Sequence, residues 1–223
     1  MPEKMKIKFH ATENQYKPVV RYLRNYRKKA KLIEIGAGGR TLQKFLPENI
    51  SYYSLDFDPN YGKAFFKAKH DYHFDLDKGK LPVKDKSYDI IVCLETLEHV
   101  MYPQKVVDEM KRVAKDDAIF FISIPNEYNI LLRLYYLFGK KHKMDETFMV
   151  VEKHLHIHKP RVKDIIGFYN KNFTIKKLDY IWQSRSSMYS KMVYFIDRII
   201  DIFAKIYPSL FAKIILVRAE KKI

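Results

Sequence analysis

The chain is poor in cysteine, with Cys93 as the single thiol among 223 residues. One thiol cannot form an internal disulfide, so the sequence excludes a disulfide-stapled scaffold and favours a reducing, cytoplasmic setting. Long apolar runs are also missing, since no window approaches the ~18 apolar residues of a spanning helix. The first residues, MPEKMKIKFH, lack the apolar core of a signal peptide. These absences predict a cytoplasmic protein that at most associates with a membrane surface.

Acidic residues are scarce relative to basic ones, 26 against 42, which gives a formal net charge of +16. Such an excess favours an acidic partner, such as nucleic acid, an anionic membrane surface or a phosphorylated substrate. A lysine-rich solvated surface explains the same number without any partner. The basic residues are spread from Lys4 to Lys222, so they do not indicate one dedicated patch.

Glycine is also scarce, yet three of the seven glycines fall in the segment Gly36-Ala37-Gly38-Gly39. This segment separates a predicted strand from a predicted helix. Apolar runs predict strands, and apolar residues at helical spacing predict helices between them. The strands are expected at 31–35, 51–56, 72–74, 88–93, 118–124, 173–182 and 213–219, and the helices at 14–29, 40–45, 103–114 and 160–169. The pattern predicts an α/β, Rossmann-like fold with a seven-stranded, mostly parallel sheet and helices on both faces.

Two apolar segments interrupt this alternation, 128–138 and 188–207. We therefore expect a single domain over 1–223 with helical insertions near 126–150 and 186–210. The segments are more apolar than a surface helix requires. Three roles fit them: a helical cap over the site, a homodimer interface, or a surface that docks a lipid-linked acceptor or an anionic membrane.

Two carboxylates follow predicted strands. Asp56 ends the second strand twenty positions after Gly36, where it can accept hydrogen bonds from both hydroxyls of a ribose. Asp75 follows the third strand, where it can reach an adenine amino group. A nicotinamide-binding site is the first alternative, but its fingerprint needs a glycine at position 41, which is Thr41.

The segments IEIGAGG, DFDP and LPVKDKSYDIIVCLETLEHV together resemble the class I S-adenosylmethionine-dependent methyltransferase family, over about residues 32–125. The resemblance implies that the first loop shapes the methionine end of the cofactor pocket, Asp56 holds ribose and Asp75 contacts adenine. Arg40 stands where many members have another glycine. The predicted cofactor-binding residues are Glu34, Gly36, Ala37, Gly38, Asp56, Phe57, Asp75, Leu76, Leu94 and Glu95.

Acidic and imidazole groups recur after the fourth strand in Glu95-Thr96-Leu97-Glu98-His99. This E-x-x-E-H pattern, with a later histidine, resembles small-RNA 2′-O-methyltransferases and ubiquinone-pathway O-methyltransferases. The resemblance implies a divalent metal held by Glu95, Glu98, His99 and His154. The same segment is common in members that use no metal, and then His99 or His154 is the candidate general base. His156 and His158 alternate with apolar residues, which also fits one face of an extended segment.

The sequence thus predicts S-adenosylmethionine as cofactor and methyl transfer to an oxygen of a small molecule, a sugar or a lipid-linked acceptor. An RNA 2′-O-methyltransferase is the alternative that the charge and the E-x-x-E-H pattern favour. A non-catalytic cofactor-binding subunit is the third hypothesis, because a fold does not fix a function.

Overall fold

The computed structural model describes residues 15–57, 69–140, 156–182 and 191–222, with side chains in the last range described from residue 195. The described strands are β1 (Ala30–Ile35), β2 (Ile50–Asp56), β3 (Tyr72–His73), β4 (Tyr88–Leu94), β5 (Ala114–Pro125), β6 (Phe173–Ile181) and β7 (Ile214–Lys221). The described α-helices are α1 (Tyr16–Leu23), α2 (Pro103–Val113), α3 (Ile130–Leu137), α4 (Val162–Asn172), α5 (Lys191–Ile206) and α6 (Pro208–Phe211).

The seven strands form one sheet in the order β3-β2-β1-β4-β5-β7-β6. Strands β1 to β5 pair in parallel, whereas β7 runs antiparallel to both β5 and β6. The predicted Rossmann-like, mostly parallel sheet is confirmed. Strand order reverses between β1 and β4, which is the point where sheets of this kind bind ligands at their carboxyl ends.

Alternation along each strand divides the apolar residues between two cores. Ile33, Ile91 and Phe120 pack on one face together with residues of α2 and α4. Leu32 and Phe121 belong to the core on the opposite face, which α1 covers. Helices therefore lie on both faces, as predicted, and each central strand is buried on both sides.

Three predicted elements differ in extent. Helix α1 ends at Leu23 rather than at residue 29, because the next residues are mostly exposed and polar and bury no apolar stripe. The segment Thr41–Phe45 is a 3-10 helix rather than an α-helix, as suits one short turn before Pro47. Strand β5 begins at Ala114 rather than at residue 118, directly after α2.

The loops that follow the parallel strands meet at one edge of the sheet, here called the carboxyl edge. The Gly36 amide donates to the Leu55 carbonyl (2.9 Å), which joins the β1 loop to the end of β2. The Phe74 amide donates to the Asp56 carbonyl (2.8 Å), which joins β3 to the same strand. Gly36, Asp56 and Asp75 therefore lie on the connections that follow three neighbouring strands of the sheet.

The helical insertions also start from the carboxyl edge. Asn126 follows β5 and donates through Nδ2 to the Ala212 carbonyl (2.8 Å), beyond the end of α6. Arg133 of α3 donates to the Ser209 carbonyl of α6 (3.4 Å), and α5 leads into α6 through Tyr207. The parts of the predicted insertions at 141–150 and 186–190 lie outside the described residues.

Gly36 is the position where the backbone tolerates only glycine. Its φ is +74°, and a Cβ built there would lie 2.1 Å from the Thr96 hydroxyl oxygen. We expect Gly36→Ala to lower the free energy of unfolding by about 2–4 kcal/mol in urea denaturation, because strain and overpacking add. The matched control is Gly167→Ala in α4, where a Cβ would meet open space. That change should raise stability by about 0.5–1 kcal/mol, since alanine favours helix. Equal stability of the two variants would contradict the close Gly36–Thr96 contact.

Candidate active site at the carboxyl edge

Asp56 ties the end of β2 to the glycine-containing loop. Its Oδ2 accepts a hydrogen bond from the Gly38 amide (2.5 Å), and its Oδ1 accepts one from the Phe57 amide (2.6 Å). Ala37 is buried in the same loop, and its amide lies 3.2 Å from the Leu55 carbonyl oxygen. The structure therefore brings the predicted ribose-binding carboxylate into contact with the predicted cofactor loop.

Arg40 explains how this loop departs from the family pattern. Its φ is +55°, a left-handed conformation that a glycine adopts without strain. The guanidinium donates to the Lys69 carbonyl, pairs with Asp71 at 3.6 Å and lies 5.3 Å from the ring centroid of Tyr52. Contacts with β2 and with the segment just before β3 thus hold an arginine where many relatives have glycine.

Glu34 is a buried carboxyl group at the end of β1. Tyr52 donates its hydroxyl to Glu34 Oε2 (2.5 Å). Burial raises the pKa of Glu34 to about 8; the Tyr52 hydrogen bond opposes this, and the negative Asp56 adds to it. At neutral pH the group is mostly uncharged, and a cation placed beside it would restore the carboxylate.

The predicted adenine side of the pocket lies next to these groups. Asp75 Oδ1 accepts a hydrogen bond from the Asp77 amide (3.1 Å) and so caps the 3-10 turn Leu76–Lys78. Leu76 is partly buried against the larger core, and Leu94 is buried at the end of β4. Asp75 and Leu76 follow β3, and Leu94 ends β4, so these predicted residues lie at the carboxyl edge on either side of β2 and β1.

A cluster of acidic and imidazole groups follows β4. Glu98 is 1% exposed, and neither of its carboxylate oxygens has a hydrogen-bond partner among the described residues. His99 Nε2 lies 3.7 Å from Glu98 Oε1, and the ring centroids of His99 and His156 are 4.8 Å apart. One ligand atom from each of the three residues falls within 4.8 Å of the others. We call Glu98, His99 and His156 the histidine–glutamate cluster.

Glu127 orients this cluster from the loop after β5. Its Oε1 lies 2.5 Å from Nδ1 of His156, and its side chain is almost fully buried. The hydrogen bond fixes the imidazole and places the proton on Nδ1, which leaves Nε2 as the basic nitrogen. The sequence did not single out Glu127, and it placed His156 on an extended face. The sequence favoured His154 as the distant ligand, two residues before His156.

Glu95 borders the cluster without joining its three closest ligands. Its backbone has a φ of +48°, and Oε1 accepts a hydrogen bond from the Ser123 hydroxyl (2.9 Å). Burial raises the pKa of Glu95 to about 7, against the effect of that hydrogen bond. His154, the fourth predicted metal ligand and a predicted general base, lies outside the described residues, and its role stays a prediction.

Three glutamates meet at the histidine–glutamate cluster, and they disfavour one another's ionisation. Burial first, then the neighbouring Glu95 and Glu127, hold the pKa of Glu98 well above its usual range. A buried carboxylate without a hydrogen-bonded partner costs free energy that a bound cation would offset. The bare oxygens of Glu98 and the two imidazoles therefore fit a divalent cation, and the buried Glu34 with the loop around Asp56 fits a cationic nucleoside such as S-adenosylmethionine.

Parts of this region are similar in sequence to known proteins. Residues 33–122 match the methyltransferase domain family. A ubiquinone biosynthesis O-methyltransferase of Glaesserella parasuis is 42% identical over 41 residues, which is 18% of this chain and 17% of that protein. An uncharacterized protein of Methanocaldococcus jannaschii is 29% identical over 128 residues, 57% of this chain and 60% of that protein. The alignments thus span less than two thirds of either relative's length.

The fold is also similar to that of known methyltransferase structures. An S-adenosylmethionine-dependent methyltransferase from Mesorhizobium loti superposes with a TM-score of 0.60 at 11% identity, covering 95% of this chain and all of that one (100%). At such low identity the likeness concerns the fold alone. The family match identifies a methyltransferase domain in residues 33–122, from β1 to β5, and the fold agrees with that of S-adenosylmethionine-dependent methyltransferases of known structure.

Proposed function

We propose that the protein transfers the methyl group of S-adenosylmethionine to a hydroxyl oxygen of an apolar or lipid-linked small molecule. One observation carries the choice of oxygen chemistry: an oriented imidazole adjoins the cofactor loops together with a buried carboxylate that accepts no hydrogen bond from the described residues. His156 is held by Glu127, and Glu98 lies beside it. A hydroxyl needs such a base, because it is a weak nucleophile while protonated.

The reaction requires alignment and one proton transfer. S-adenosylmethionine supplies an electrophilic methyl group on a positively charged sulfur. The acceptor oxygen bonds to the methyl carbon as the sulfur–carbon bond breaks, and sulfur keeps the electron pair and becomes a neutral thioether. Nε2 of His156 takes the hydroxyl proton, and Glu127 stabilises the resulting imidazolium across the 2.5 Å contact. Holding the two reactants in line contributes about 7–11 kcal/mol in comparable cases.

A divalent cation is the finer part of the proposal. Glu98, His99 and His156 would hold it, and it would lower the pKa of the acceptor hydroxyl. Because Nε2 of His156 would then be a ligand, this scheme is an alternative to proton transfer to His156 and not an addition to it. The partial match to a ubiquinone biosynthesis O-methyltransferase supports an oxygen acceptor, although it covers 41 residues only. His99, proposed from sequence as a base, becomes a ligand in this scheme.

Asp56→Asn tests the cofactor site by isothermal calorimetry. An amide keeps the shape of the side chain but loses a charged acceptor for the ribose hydroxyls, worth about 1.5–3 kcal/mol. We expect binding of S-adenosylmethionine to weaken roughly 10- to 100-fold. Asp116→Asn is the matched control, since Asp116 is exposed and pairs with Lys86 on the surface. Unchanged affinity in Asp56→Asn would exclude the assigned ribose site, and no binding by the native protein would exclude the function.

The raised pKa of Glu34 predicts that cofactor binding releases a proton. The free carboxyl has a pKa of about 8, so at pH 7 it is protonated; a cationic ligand lowers that pKa and expels the proton. Affinity should therefore rise with pH between 6 and 8, by at most about tenfold per unit. Calorimetry at pH 7 in two buffers of different ionisation enthalpy measures the release. Glu34→Gln should abolish it, and a release that survives this change would assign the proton to another group.

Glu98→Gln tests the cation. Titration of Mn²⁺ followed by electron paramagnetic resonance reports binding without any turnover. We expect the variant to bind Mn²⁺ at least about tenfold more weakly, because a neutral amide is a poor ligand for a hard cation. Glu220→Gln is the control, since Glu220 is exposed and pairs with Lys176. If the native protein binds no Mn²⁺, the general-base role of His156 remains and the metal is excluded.

A further inference from the structure

Helix α5 faces the protein with its acidic side and solvent with much of its apolar side, the reverse of an ordinary surface helix. Asp197 accepts a hydrogen bond from the indole nitrogen of Trp182 (2.9 Å), and Asp201 accepts one from the Trp182 amide (3.2 Å). Ala204 on the same side is fully buried. The acidic side of α5 therefore faces the end of β6, so its apolar side has to face outward.

Large apolar side chains form one stripe on the outward side. Phe195, Ile199, Ile202 and Ile206 recur at spacings of four, three and four residues, which places them on one line of an α-helix. Phe195 is 65% exposed, Ile202 58% and Ile206 59%. We call these four residues the apolar stripe. Single exposed apolar residues are ordinary, but a continuous stripe of this kind indicates a contact surface.

Among the described side chains of α5, the charged residues beside the apolar stripe are both basic. Arg198 and Lys205 are exposed and border the stripe along one side, whereas both acidic residues of the described part of α5 point inward. Helix α3, which adjoins α6 at the same edge of the sheet, adds exposed Leu137 and Phe138 at its end. An outward face with apolar side chains and cationic borders is the composition of helices that lie in a membrane interface.

We propose that α5 seats the protein on an anionic lipid bilayer, with the apolar stripe in the acyl boundary and Arg198 and Lys205 against lipid phosphates. Charge complementarity favours this occupant over a second copy of the chain. Two copies would bring the same cationic borders together on chains that each carry +16. With 16 residues, or about 24 Å, α5 lies flat on the surface; no described helix is long and apolar enough to cross a bilayer.

The location of α5 links this docking to the acceptor. Helix α5 packs on β6 and runs into α6, which borders the carboxyl edge where the candidate active site lies. A docked protein would present that edge to lipid-borne hydroxyl compounds. This consequence rests on the proposed methyl transfer, whereas the docking itself does not.

Co-sedimentation of the full chain with vesicles tests the docking. One vesicle contains phosphatidylcholine alone and the other equal parts of phosphatidylcholine and phosphatidylglycerol. We expect binding to the anionic vesicle that is about tenfold stronger or more and that weakens with salt. Ile202→Glu should reduce this binding at least about tenfold. The control Thr174→Glu adds the same charge at an exposed position near the other end of β6 and should leave binding unchanged.

Three results would overturn the proposal. These are no binding to either vesicle, equal loss in both glutamate variants, and a lipid-free dimer by sedimentation velocity that Ile202→Glu dissociates. Calorimetry with S-adenosylmethionine on the same samples shows whether each variant is folded. A native chain that binds vesicles but not S-adenosylmethionine would remove the methyl transfer and keep the docking, and the reverse result would remove the docking alone.

Discussion

Burial of carboxyl groups at the carboxyl edge is the constraint on which the rest of the structure depends. Glu34, Glu98 and Glu127 are each at most 2% exposed, in a chain whose basic residues outnumber its acidic ones by 42 to 26. The excess lysine and arginine is not used here: the ion-pair partners of Glu98 and Glu127 among the described residues are His99 and His156. Uncompensated buried acids cost stability, and burial raises the pKa values of Glu34 and Glu98. The fold therefore holds a site that is complementary to positive charge, as the sulfonium of S-adenosylmethionine requires.

Most of the fold could be predicted from local patterns, because each central strand carries an unbroken apolar run and each covering helix an apolar stripe. Strand β4 is an example, because Tyr88–Leu94 is buried on both faces and its apolar run predicts a strand without knowledge of the neighbouring strands. The errors fall where tertiary context decides. Helix α1 stops at Leu23, where the residues that follow are mostly exposed, although the basic residues among them are compatible with helix. Arg40 keeps a left-handed backbone through contacts with Lys69 and Asp71, which lie about thirty residues away and cannot be read from its neighbours.

The candidate site was predictable only in part, for a related reason. Residues on the loops after β1, β2 and β4 follow strands of known order, so Asp56 and Glu98 could be assigned to one edge. Glu127 and His156 meet because the segment after residue 155 returns to the β4 loop, where the amides of Ile157 and His158 donate to the Glu98 carbonyl. No periodicity encodes such a return. Likewise, the pattern of α5 gives an apolar and a polar side but does not say which one faces the protein.

The buried glutamates also favour one class of acceptor, an uncharged hydroxyl compound, over RNA. An RNA acceptor would carry phosphates toward Glu98 and Glu127, where the described ion-pair partners are histidines and not lysine or arginine, and burying an anion without a cationic partner costs free energy. The +16 charge would attract RNA to the surface, but the attraction would have to outweigh this cost where the chemistry occurs. A hydroxyl on an uncharged, apolar acceptor meets no such penalty, since its proton leaves to His156 and no anion has to be buried beside glutamate. An exterior that favours anionic lipid and an interior that disfavours anions are therefore compatible, provided that the phosphates stay at the membrane surface and only the hydroxyl reaches the site.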